Sequence, residues 1–193
     1  NQHQKIIKQV FMDDHDTQTL IQNCRKDNNA IGLKCEQGVE IYHGFETFQN
    51  EYLHGFTEAN ILIDKTKETF SPSSSNKGMG CFILGNVQLV LAYHILMNET
   101  TIVKAHETGC DVFPNQSGKE KAIDSVLESL NLTWDNVISF GDSSNDIKML
   151  EHAAIGVAMG NGSSDAKAAA DYITDSVLDD GIVSALKHFN LIP

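Results

Sequence analysis

The stretch Gly141-Asp-Ser-Ser-Asn-Asp146 crowds oxygen-bearing side chains together, and a lysine, Lys119, stands upstream of it. Asp142, Asn145 and Asp146 are the groups that suit a hard cation, typically Mg²⁺, which takes oxygen ligands. Lys119 falls in the first turn of a helix by its spacing, where the backbone already favours anions and an ammonium adds a full positive charge. Plainer accounts stand beside these. Asp146 follows Ser143 by three and also fits a helix cap, and a lysine in a first turn is commonly just solvated.

The elements that must position these groups can be read from the same residues. Val137, Ile138 and Phe140 read as a buried strand of a parallel sheet, and Gly141 frees the backbone to turn. Asp142 then falls at the strand's carboxyl end, the edge at which open α/β sheets collect ligands, and a carboxylate there is costly without a partner. Ser143 or Ser144 caps the next helix, whose buried face begins with Ile147, Met149 and Leu150. Upstream, Ser117-Gly-Lys-Glu120 has the spacing of a capping box, ahead of a stripe of Ala122, Ile123, Val126, Leu127 and Leu130. Strand 155–159, helix 165–170, short strand 172–174 and helix 181–189 continue the alternation.

Gly141-Asp-x-x-Asn-Asp-x-x-Met-Leu150, followed by Ala153-Ala-Ile-Gly-Val-Ala-Met-Gly-Asn161, resembles the fourth motif of the haloacid dehalogenase superfamily. Its Met149-Leu150 ending and the glycine run are similar to those of the Cof-type, class IIB sugar-phosphate phosphatases. Phe113-Pro-Asn-Gln-Ser-Gly-Lys-Glu-Lys-Ala-Ile123 resembles the third motif, with Glu120 where the family usually has glycine. The resemblance is tight over residues 110–189. It implies an α/β fold: a Rossmann-like core, of which 110–193 is the C-terminal part with motifs three and four. Residues 1–109 match loosely as an α+β cap that sets substrate specificity. It further implies that Asp142 ligates Mg²⁺, that Lys119 holds phosphate, that Asn145 contacts phosphate or substrate, and that Asp146 orients water or Lys119. Lys119, Asp142 and Asp146 are the catalytic expectations.

The first part reads as mixed strands and helices without a repeat. Residues 5–12 read as a strand and 16–26 as an amphipathic helix after an Asp cap. Strands 31–35 and 39–43 flank a Gln37-Gly38 hairpin, and 45–56 is expected to be helical. Residues 71–78 form a low-complexity loop, followed by strand 79–84, helix 87–97 and strands 101–105 and 110–113.

Composition narrows the partners. A net charge of −12, from 26 acidic against 14 basic residues, disfavours a nucleic-acid surface. Four scattered cysteines and eight scattered histidines lack zinc or disulfide spacing, which suits a reducing cytoplasm. The apolar stretch 87–97 is too short to span a bilayer, so no membrane partner is expected. A small phosphorylated metabolite, such as a sugar phosphate, is the expected substrate.

The superfamily's nucleophile is the first aspartate of Asp-x-Asp-Gly-Thr. Phe11-Met-Asp-Asp-His-Asp-Thr17 invites that assignment to Asp14 and Asp16, but Thr17 and Gln18 stand where Gly and Thr belong. Both aspartates read better as charges capping a helix N-terminus. The nucleophile and upstream core are therefore expected to be missing from this chain, which begins at Asn1 and reads as a fragment, inactive alone. A sheet edge left bare would favour a homodimer. Two alternatives remain open: a non-catalytic binding or regulatory protein on the same scaffold, and a P-type ATPase phosphorylation domain. The latter is echoed by Ile61-Leu-Ile-Asp-Lys-Thr66 but lacks its following Gly-Thr.

Overall fold

Alternation along the strands of the N-terminal half puts small and apolar side chains on both faces of one sheet, and the helices cover the more apolar face. The computed structural model of the chain describes residues 6–52, 62–71 and 77–193. It divides into two units, Gln9–Ser117 and Gly118–Pro193, the second joined by residues 6–8. The boundary falls beyond the expected 109/110, because residues 109–114 are built into the first unit's sheet by antiparallel pairing on both sides.

In the first unit, α1 (Asp14–Lys26) leads to β1 (Ala30–Cys35), β2 (Gly38–His43), α2 (Phe45–Thr47) and a π-helical turn, Phe48–Tyr52. β3 (Leu62–Asp64), β4 (Gly80–Leu84), α3 (Val87–Ala92), β5 (Thr100–His106) and β6 (Gly109–Pro114) complete it. The six strands run β3-β2-β1-β4-β6-β5, antiparallel except for β2 with β3. Ile31, Leu33, Ile83 and Val112 pack on one face with Leu20, Ile21 and Cys24 of α1 and Val90 of α3. Their strand neighbours Ala30, Phe82 and Leu84 point the other way, to a second cluster with Val39, Ile41 and Phe48. Each fully buried Leu or Ile contributes about 1.5–3 kcal/mol relative to exposure, so the sheet and α1 carry this unit's stability.

Several boundaries differ from expectation. No strand forms among described residues 6–12: Ile6 and Ile7 are exposed, and Met12 N–H makes a lone bond to Gly78 O at 2.8 Å. Helix α1 is capped by Asp13, whose carboxylate accepts from Asp16 N–H, rather than by Asp14 or Asp16. The helix read over 87–97 tightens into a 3₁₀ turn at Tyr93–Leu96, where the buried Tyr93 hydroxyl donates to Asp27 at 2.8 Å. The hairpin is present, with Cys35 opposite Gly38. The helical reading over 53–56, the loop over 72–76 and Ile61 lie outside the described residues.

In the second unit α4 (Lys119–Leu130), β7 (Ile138–Gly141), α5 (Ile147–His152), β8 (Ile155–Ala158), α6 (Ser164–Ala169), β9 (Tyr172–Ile173) and α7 (Gly181–His188) alternate. That alternation forces parallel pairing, and the strands lie in the order β7-β8-β9. The expected stripe of α4 is only partly used: Leu127 is buried and Ile123 half-buried, while Val126 and Leu130 are exposed. A three-stranded sheet offers too little apolar area to cover the whole helix face. For the same reason Ile138 and Phe140 are only half-buried. Among the described residues no helix is long and apolar enough to cross a membrane.

Candidate active site

β7 ends at Gly141, and the chain turns at once through Ser144–Asp146, a 3₁₀ turn, into α5. Gly141 has to be small here, since a Cβ would lie 2.5 Å from that of Asp146. The turn is tied down from two directions. Met159 N–H donates to Gly141 O at 2.9 Å and Ser163 N–H to Asp142 O at 2.8 Å, so the loop after β8 grips the loop after β7. Inside the turn, Asp146 reaches back to accept from Asp142 N–H at 3.0 Å and Ser143 N–H at 3.2 Å, both on Oδ2. Asp146 is thus a cap partner as its spacing implies, but that occupies only one of its oxygens.

The other oxygen, Oδ1, accepts from Lys119 Nζ at 2.5 Å. Burial alone would push the Asp146 carboxyl up; the Lys119 hydrogen bond and the two amides outweigh it and hold the group below the usual carboxylate value. Lys119 is the first residue of α4, where unpaired N–H groups add positive potential to its ammonium.

The start of α4 departs from the expected capping box. Gly118 is the N-cap, with φ +147°, and Ser117 Oγ turns away to donate to Pro114 O at 2.7 Å. That backbone conformation is open essentially only to glycine. Glu120, the expected cap partner, is buried and accepts instead from Lys148 Nζ at 3.4 Å.

Asp142 and Asn145 are both exposed. Among the described residues the Asp142 carboxylate has no hydrogen-bond partner, while Asn145 Oδ1 accepts from Ser143 Oγ at 2.5 Å. The structure therefore joins Lys119 to Asp146 through side chains, and Asp142 to Asp146 through its backbone. Mg²⁺ keeps several waters and takes one or two protein carboxylates. Asp142 fits that role as one oxygen ligand, but Asp146 does not, because both of its oxygens are engaged. Among the described residues no group of three or more His, Cys, Asp or Glu converges to hold a metal unaided. Lys148 was missed as part of this cluster and Glu120 was read only as a cap partner, whereas Ser143 caps the turn with Asp146 as their spacing implies.

The other acidic candidates do local work. Asp16 is fully buried and its carboxylate accepts from Asn98 N–H and Glu99 N–H. Asp14 lies 4.0 Å from Lys77. Asp64 closes a tight turn by accepting from Thr66 N–H and Oγ1, bonds that hold its carboxyl below the ordinary value.

The chain is 41% identical over 93 residues to a 5-amino-6-(5-phospho-D-ribitylamino)uracil phosphatase of Bacillus subtilis, a match spanning 48% of this chain and 37% of that protein. It is 38% identical over 77 residues to a kanosamine-6-phosphate phosphatase of the same organism, 40% of this chain and 27% of the relative. Those matches cover well under two thirds of the relatives' lengths. Among solved structures, a subclass IIB sugar phosphatase superposes with a TM-score of 0.81 at 25% identity, over 98% of this chain and 71% of that one. A Thermotoga maritima protein at 17% identity gives a TM-score of 0.79, over 96% and 70%. The fold is thus the α/β architecture of these neighbours. Haloacid dehalogenase-like hydrolases as a family match residues 1–186, and the chain belongs to that family.

Proposed function

We propose that this chain is the α+β cap and the phosphate-binding part of the core of a Mg²⁺-dependent, Cof-type class IIB phosphatase acting on a small phosphorylated metabolite such as a sugar phosphate. The carrying observation is the Lys119–Asp146 pair at the head of α4, beside an exposed Asp142, whose carboxylate bonds to no described residue, at the end of a parallel strand. In this reading Lys119 binds the phosphoryl oxygens and Asp146 keeps the ammonium aimed. Asn145 contacts the substrate, and Asp142 is the protein's oxygen ligand for the cation. Bound there, Mg²⁺ supplies neutralisation of phosphoryl charge.

The chemical step is nucleophilic: an aspartate attacks phosphorus, the alcohol leaves, and water hydrolyses the aspartyl-phosphate. We place that aspartate on a stretch of polypeptide outside this sequence, since Asp14 and Asp16 are engaged in the first unit and neither adjoins an Asp-Gly-Thr sequence. Four free, buried cysteines support a reducing, cytoplasmic setting. The edge of β7, which pairs with no described strand, supports self-association of the isolated chain.

The test is turnover of a panel of phosphate monoesters, with and without Mg²⁺, by the longer parent protein and by the 193-residue chain. Mg²⁺-dependent turnover by the parent alone is expected. Phosphate binding without turnover by the parent would favour a non-catalytic binding protein. Turnover by the chain that is lost on Asp14→Asn would make Asp14 the nucleophile.

A further inference from the structure

Beside the Lys119–Asp146 pair lies a second ion pair of opposite sense. Glu120 of α4 accepts from Lys148 of α5 at 3.4 Å, so a lysine of each helix's first turn reaches an acid at the head of the other. We propose that Glu120 and Lys148 are positioning residues that fix the rotation of α4 and thereby hold Lys119 toward Asp146 and the phosphate it binds. The proposal rests on the reading of Lys119 as a phosphate ligand and adds to it the device that aims the ligand.

Three observations carry it. First, neighbouring helix residues project about 100° apart. A single bond from Lys119 fixes a distance but lets α4 roll; a second bond from Glu120, on another side of the helix, removes that freedom. Second, the Glu120 side chain is 11% exposed against 69% for Lys148. A carboxylate that deeply placed needs a partner. Its other side is closed as well, because Oε2 lies 2.6 Å from where a Cβ on Gly118 would sit. The N-cap glycine therefore leaves the space that Glu120 fills, and the two residues go together. Third, the charge has the wrong sign for a direct role: an anion close to Lys119 opposes phosphate binding by simple Coulomb repulsion. Its place beside the phosphate-binding lysine makes sense if it acts through geometry.

The experiment uses the whole chain and reads Lys119 itself. The two ε-methylene protons of a lysine side chain differ in NMR shift when the side chain is held and converge when it rotates freely; the Lys119 signal is assigned by its loss in Lys119→Met. Wild type should show separated protons. Glu120→Gln and Lys148→Met should each bring them together, and the double exchange E120K/K148E should separate them again. Inorganic phosphate titrated into the same samples should bind at least about threefold more weakly to Glu120→Gln, although that change removes a negative charge.

Unaltered ε protons in both single variants, whatever happens to their melting temperatures, would overturn the proposal and leave the pair a stabilising bridge only. Tighter phosphate binding by Glu120→Gln would overturn it too, by showing that charge outweighs geometry. A phosphate affinity that is the same in wild type and Lys119→Met would instead sink the phosphate-binding reading, while the ε protons would still report whether Glu120 and Lys148 hold Lys119. Lys148 is mostly exposed, so its variant remains readable if Glu120→Gln fails to fold.

Discussion

Asp146 Oδ1 accepts from Lys119 Nζ at 2.5 Å, with the Asp146 side chain 2% exposed and that of Lys119 50% exposed. The pair is thus lopsided: a buried carboxylate that also accepts from two backbone amides, and a cation half in water. Its two ends should respond differently to removal.

Asp146→Ala strips acceptors from Asp142 N–H and Ser143 N–H as well as from Lys119. Both donors are part-buried, and an unpaired one costs about 1 kcal/mol or somewhat more, so the variant should lose about 2–3 kcal/mol in denaturant unfolding. Lys119→Met leaves the buried Asp146 Oδ1 without its cation but keeps both amides bound, and should lose less, about 1–2 kcal/mol. Equal losses would mean that the pair, rather than the amides, dominates the site's stability.

On activity the order reverses. On the proposed reading, Lys119→Met in a parent protein that carries the nucleophile should cut turnover of a phosphate ester by about 10²-fold or more, by removing charge stabilisation at the transferred phosphoryl group. A variant that keeps full turnover but melts far lower would make Lys119 structural.

Asp142→Ala in the parent should abolish Mg²⁺-dependent turnover with little change in stability, since the carboxylate is exposed and bonds to no described residue. Mg²⁺ titration followed by calorimetry should lose its heat in the same variant. Turnover within about threefold of wild type, less than 1 kcal/mol of barrier, would remove Asp142 from the reaction.

Gly118→Ala should destabilise by about 1–3 kcal/mol, for a backbone conformation closed to other residues. The added methyl would also press on the Glu120 carboxylate, 2.6 Å from its position. Thermal unfolding checks the first effect. A neutral result would mean that α4 can start one residue later without loss.

The Asp146 carboxyl sits below its ordinary value of 3.8 in the folded state. A group so depressed contributes stability above its unfolded value and loses it as pH falls through the folded one. Unfolding free energy should therefore drop more steeply on acidification below 3.8 in wild type than in Asp146→Asn. Parallel curves would show that another carboxylate controls acid stability.

Much of the site could be read from local order. Gly141, Asp142, Asn145 and Asp146 lie within one strand end and one helix start, so their relation follows from short-range geometry, and Lys119 is placed by the start of its own helix. The parallel alternation of the second unit and the antiparallel hairpin at Cys35 and Gly38 were likewise written in periodicity and turn residues. Where elements begin was less legible: the strand read over 5–12 forms no ladder among described residues 6–12, and Ser117 yields the cap of α4 to Gly118.

What the sequence determined by itself, then, is which side chains share a turn and what family pattern they spell, because those relations span a few residues of backbone. Only the tertiary structure decided that Asp146 divides its two oxygens between its own turn and a lysine 27 positions earlier. It alone turned Glu120 from a cap partner into the acid that meets Lys148, and assigned residues 109–114 to the first unit's sheet. Each of these is a choice among partners distant in sequence. It is settled by burial, since a carboxylate leaving water takes the cation and amides that packing brings to it, and no local pattern records which those will be.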